Sequence, residues 1–69
     1  MENIRDCKGH LVCKAEPSNG FIESSYKHQT TKTILPIGGY FAIERDGVRT
    51  TIMRCDSTEL NVESKELIM

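Results

Sequence analysis

Apolar and polar positions alternate with a period of two along much of the chain, and the pattern predicts β-structure. The clearest stretch is Tyr40-Phe41-Ala42-Ile43-Glu44-Arg45, then Asp46-Gly47, then Val48-Arg49-Thr50-Thr51-Ile52-Met53-Arg54. Asp-Gly between two β-prone runs predicts a two-residue type I′ turn, because that turn needs positive φ at both central residues. A two-residue turn also sets the register. Arg45 then pairs with Val48, Glu44 with Arg49, Ile43 with Thr50, Ala42 with Thr51, Phe41 with Ile52 and Tyr40 with Met53. Phe41, Ile43, Val48 and Ile52 fall on one face, the expected core face. Tyr40, Ala42, Glu44, Arg49, Thr51 and Met53 fall on the other, with Glu44 opposite Arg49 as an exposed pair.

The rest of the chain continues in the same idiom. Leu11-Val12-Cys13-Lys14-Ala15-Glu16 reads as a strand, Pro17-Ser18-Asn19-Gly20 as a turn, and Phe21-Ile22-Glu23-Ser24-Ser25-Tyr26-Lys27 as the returning strand. A four-residue loop sets Lys14 opposite Glu23 and Leu11 opposite Tyr26. Thr30-Thr31-Lys32-Thr33-Ile34-Leu35 is β-prone, and Pro36 ends it or confines it to an edge, since proline cannot donate to a ladder. Gly38-Gly39 forms a flexible corner into the hairpin. The tail has two readings. Glu59-Leu60-Asn61-Val62-Glu63 alternates as a strand does, whereas Asp56 or Ser57 could cap a helix with Leu60, Ser64, Leu67 and Ile68 on one stripe, which Val62 interrupts. The expected fold is all-β: a small antiparallel β-meander of four to five strands, as an open sheet or a small barrel, with a short C-terminal helix as the alternative ending.

Size sharpens this picture. The 69 residues form one domain, 1–69, with residues 1–9 polar and expected to be loose. A domain this small buries only about 60% of its unfolded surface, so a metal, a partner or self-association is the usual support. Hydrophobic residues make up 38%, with no Trp, two Tyr and two Phe, which means a thin core. The net charge of −1 excludes a general polyanion binder. Its distribution is uneven: Lys27, Lys32, Arg45, Arg49 and Arg54 against Glu44 and Asp46 give residues 26–54 a net of +3. Lys65 against Asp56, Glu59, Glu63 and Glu66 gives residues 55–69 a net of −3. The start Met1-Glu2-Asn3-Ile4-Arg5-Asp6 is polar with no apolar region of a signal peptide after it, and no apolar run is long enough to span a bilayer. A cytoplasmic chain without a membrane partner is expected, and three Cys fit reduced thiols better than a disulfide framework.

Few residues point to chemistry. Cys7-x-x-His10-x-x-Cys13 has ligand types that zinc prefers, and Cys55 or His28 could complete a set of four, but paired Cys-x-x-Cys knuckles are missing. On an extended strand His10 and Cys13 would also point to opposite faces. Buried thiols beside a surface histidine are the simpler account, and no cofactor is expected. A Cys–His nucleophile from Cys13 or Cys55 with His10 or His28 lacks a third orienting group. Gly38-Gly39 lacks the further glycine and helix of a phosphate-binding loop. The remaining candidate is a surface: Tyr26, Lys27, Lys32, Tyr40, Arg49, Met53 and Arg54 all fall in the basic segment. Aromatic and basic side chains together on a sheet can hold single-stranded nucleic acid by stacking and phosphate contacts. Tyr40 and Met53 side by side fit a protein surface instead, with Arg49 occupied by Glu44. The expectation is therefore a non-catalytic binding module of adaptor or inhibitor type, acting through a protein partner or as a homodimer. A nucleic-acid-binding accessory protein is the alternative, and a zinc-stabilised module the second alternative.

Overall fold

The computed structural model describes residues 1–67. Seven strands follow one another: β1 (Glu2–Arg5), β2 (Leu11–Glu16), β3 (Phe21–Tyr26), β4 (Gln29–Ile34), β5 (Tyr40–Arg45), β6 (Val48–Arg54) and β7 (Leu60–Glu66). They form two antiparallel meanders, β1-β2-β3-β4 and β5-β6-β7. The all-β meander expected from the alternation is therefore present, with seven strands in place of four or five. They are divided between two sheets rather than joined in one open sheet or barrel. No helix forms among the described residues. The tail is the strand β7, whose Leu60, Val62 and Ser64 lie opposite Arg54, Ile52 and Thr50. Ile68, which the helical reading used, lies outside the described residues.

The β5–β6 hairpin has the register derived from its turn, from Tyr40↔Met53 to Arg45↔Val48 without a shift. Asp46 and Gly47 take φ of 52° and 74°. Of the expected core face, Ile43, Val48 and Ile52 are buried, while Phe41 packs half-buried against the cluster. The β2–β3 turn also forms as read: the Gly20 amide donates to the Glu16 carbonyl at 2.9 Å. Gly20 has a φ of +77°, and a Cβ there would stand 2.4 Å from the Leu35 carbonyl oxygen, so no side chain fits.

Two departures have clear causes. Residues expected to be loose supply β1, because Ile4 finds the core once β2 is in place beside it. A single buried isoleucine among polar neighbours is too short an alternation to read in advance. Register along β1–β2 then slips between Ile4↔Cys13 and Arg5↔Leu11, leaving Val12 unpaired as a bulge. The bulge lets consecutive Val12 and Cys13 both be buried and leaves Leu11 exposed. Lys14 faces Glu23 as expected, but the β2–β3 ladder runs only through Lys14, Ala15 and Glu16, and the expected Leu11–Tyr26 pair is not part of it.

One apolar cluster joins the sheets. Ile4, Cys13, Ala15 and Ile22 come from the first sheet, Ile43 and Ile52 from the second, Val12 from the bulge and Leu35 from the connection between the sheets. Three polar ties support it. Ser24 donates to the Val12 carbonyl at 3.2 Å and accepts from the Arg45 guanidinium at 2.9 Å. The Cys7 amide donates to Ser64 Oγ at 2.9 Å, and that hydroxyl lies 3.2 Å from buried Thr50 Oγ1. Arg54 donates to the Leu35 carbonyl at 2.9 Å. Buried hydroxyls in such a thin core need these partners, since an unsatisfied one costs about 1–3 kcal/mol.

Candidate binding surfaces

The outer face of the β5-β6-β7 sheet divides into two ends. At one end Tyr40 lies directly opposite Met53, the two residues being 69% and 39% exposed, and exposed Ala42 follows along β5. At the other end Glu44 meets Arg49 at 3.3 Å, and Lys65 pairs with Arg49 from β7. An exposed ion pair of this kind contributes at most about 1 kcal/mol. Arg49 is thus a partner of Glu44, as the register implied, and Tyr40 and Met53 form the apolar end.

The sheet edges differ in how they meet solvent. β1 is four residues long and runs against the bulged part of β2. β4 carries Lys32 and stops just before Leu35-Pro36. β7 carries Glu63, Lys65 and Glu66. Short length, bulges, proline and charge are the devices that discourage further strand pairing. β5 has none of them along Tyr40-Phe41-Ala42-Ile43, and its six-pair register is unbroken.

The basic candidates do not gather. Lys32 lies across from Glu23, which has Lys14 on its other side, on the outer face of the first sheet. Arg54 points inward, half-buried, with Nη1 on the Leu35 carbonyl, Nη2 3.5 Å from the Ser18 carbonyl, and Nε buried without a partner. Its guanidinium holds the β2–β3 turn and the inter-sheet connection onto β6. Tyr26 and Lys27 sit at the β3–β4 turn, away from both outer faces. The seven candidate residues therefore divide among the outer face of each sheet, the core and one end of the molecule.

Arg45 lies at that end as well. The Arg45 guanidinium lies 4.4 Å from the Tyr26 ring centroid, and Lys27 Nζ lies 5.4 Å from the same centroid. The signal was available: the hairpin register puts Arg45 on the core face with Phe41 and Ile43, and a charge there needs a partner. The turn joining β3 to β4 consists of Lys27 and His28, with φ of 48° and 67°. The strand boundaries expected at Lys27 and Thr30 move accordingly, so that Tyr26 pairs with Gln29. Left-handed conformations cost non-glycine residues about 1–3 kcal/mol each.

The cysteines and His10 are dispersed. Cys7 and Cys55 are exposed and Cys13 is buried. Burial pushes the Cys13 thiol up to about 11, with the Arg45 charge acting the other way. The exposed His10 ring lies 3.5 Å from Asp6. Burial raises the Asp6 carboxyl, but amides of His10 and Lys8 and the His10 ring outweigh it and hold the group below the usual carboxylate range. That carboxylate caps the β1–β2 turn. Asp56 does the same in the β6–β7 turn, held low by the Thr58 amide and hydroxyl. Among the described residues no three His, Cys, Asp or Glu side chains come close enough to hold a metal ion. The surface carries depressions of about 140, 330 and 430 Å³. No helix among the described residues is long and apolar enough to cross a membrane. Comparison of the chain with protein-family models, curated proteins and solved structures returns no match.

Proposed function

We propose that the protein is a non-catalytic binding module that works by self-association, pairing strand β5 with β5 of a second copy. The observation that carries this reading is the state of β5: an edge strand uncharged along Tyr40-Phe41-Ala42-Ile43, bordered by exposed Tyr40 and Met53. The two-residue turn makes Arg45↔Val48 a hydrogen-bonded pair, so Ile43 and Phe41 also bond inward to β6 while Tyr40, Ala42 and Glu44 present their backbone groups to the open edge. A two-fold axis at Ala42 uses all three of these residues. It sets Tyr40 against Glu44 and Phe41 against Ile43 of the second copy, and it brings no like charges together. Half-buried Phe41 gains cover, and the outer face becomes a continuous six-stranded surface with Tyr40 and Met53 from each copy, suited to an adaptor.

Sedimentation equilibrium from micromolar to millimolar concentration tests this. The wild-type chain should dimerise. Ala42→Lys, which sets two ammonium groups against each other at the axis, should be monomeric with an unchanged circular dichroism spectrum. A wild-type protein that stays monomeric at millimolar concentration refutes the reading.

A further inference from the structure

We infer that the end of the molecule at Tyr26 is a binding site for a phosphate-class oxyanion, formed by Arg45 and Lys27 around the Tyr26 ring. Three observations converge there. First, Arg45 is half-buried yet has no carboxylate within 4 Å among the described residues, although Asp46 is its neighbour in the chain. Its one hydrogen bond goes to Ser24 Oγ at 2.9 Å, which leaves most of its donors unused. Ser24 is itself buried and bonded to the Val12 carbonyl, so the guanidinium is held in place before any ligand arrives. A partly desolvated cation without a counter-ion gains from an anion more than an exposed one does. Second, Lys27 brings a further positive charge to the same ring, also without a carboxylate partner among the described residues. Third, the turn that presents Lys27 and His28 is left-handed at both residues, where Asn-Gly would be relaxed. Unfavourable backbone at a turn that displays the Lys27 ammonium fits the clustering of such strain at functional sites.

The ligand class follows from how local this cluster is. Lys8 and Arg49 are ion-paired and Arg5 and Arg54 donate to backbone carbonyls, while Lys14 and Lys32 flank Glu23 on the first sheet and Lys65 lies beside Arg49 on the second, away from Tyr26. A nucleic-acid strand needs a stripe of cations and free aromatic faces. The chain offers two cations on one ring that they already occupy. A single phosphate group, borne on a small ligand, suits a cluster of two cations, with the guanidinium giving paired donors and the ammonium a second charge.

The test is an NMR titration of the isotopically labelled chain with inorganic phosphate, using chloride at equal ionic strength as control and a single-stranded oligonucleotide as a second arm. Saturable shifts confined to residues 26–29 and the Arg45 side chain are expected with phosphate and not with chloride. Arg45→Gln should weaken phosphate about tenfold or more, in line with loss of a charge-assisted contact. Lys27→Gly should weaken phosphate and at the same time raise the melting temperature, a combination that general destabilisation cannot produce. Unsaturable or scattered shifts overturn the proposal, as does a Lys27→Gly variant with unchanged affinity. An oligonucleotide whose shifts extend over Lys32 and Arg49 with a steep salt dependence replaces it with nucleic-acid recognition.

Discussion

The β3–β4 and β5–β6 hairpins close through the same backbone geometry with opposite residue choices. Asp46-Gly47 and Lys27-His28 both hold two successive positive φ angles. In the first, a small acceptor side chain and a glycine relieve the left-handed conformation, and the turn organises its strands. In the second, neither residue relieves it, so the strands must organise the turn. They do so through a six-pair ladder from Phe21↔Ile34 to Tyr26↔Gln29, a Ser25–Thr30 hydroxyl contact at 3.2 Å, and Arg45 of the other hairpin on the Tyr26 ring. One turn is thus a cause of its hairpin and the other a consequence.

Substitution can break or sharpen that contrast. The largest effect belongs to the core that both hairpins share. Ile22 of β3 and Ile52 of β6 are each fully buried in the common cluster. Truncation of either to alanine should cost about 2–4 kcal/mol in urea denaturation, with both sheets unfolding in one transition. A loss below about 1 kcal/mol for Ile22→Ala alone would mean that the second sheet stands without the first, and the hairpins would differ in more than their turns.

Next in size is Gly47→Val. A branched side chain at a φ of 74° should cost about 1–2 kcal/mol and slow refolding if this turn forms early. The smallest effect has the opposite sign. Lys27→Asn combined with His28→Gly should stabilise the protein by about 1 kcal/mol, read as a higher urea midpoint with the same slope. Equal and opposite turn exchanges would show that the two hairpins differ only in local chemistry. A double variant no more stable than wild type would place the relief elsewhere, in the Tyr26–Arg45 contact.

Legibility followed the same division. Strand bounds came out of the alternation for Leu11–Glu16, Tyr40–Arg45 and Val48–Arg54, because a turn signal adjoined each of them. Pairing of Glu44 with Arg49 and of Tyr40 with Met53 on one outer face followed from the turn as well. β1 was not legible, since one apolar residue carries no period. The Val12 bulge was not legible either: consecutive apolar residues in a strand fit a bulge and a two-sided burial equally. The register puts Arg54 on the face of Val48 and Ile52, but its acceptors were not legible: they are the carbonyls of Ser18 and Leu35, 36 and 19 residues away in the chain. Arg45 shows the reverse case, where the register held the signal and only the position of Tyr26 gave it meaning.

Alternation and turn chemistry by themselves determined an antiparallel all-β chain, the register of its central hairpin and the composition of that hairpin's two faces. Both are local properties, set by the period of the strand and the φ preferences of two residues. The division into two sheets, the recruitment of β1, the carbonyl partners of Arg54 and the stacking of Arg45 on Tyr26 were decided by the tertiary structure alone. Each depends on which distant groups arrive beside a side chain, and a thin core satisfies its few apolar and polar contacts only when both sheets are in place.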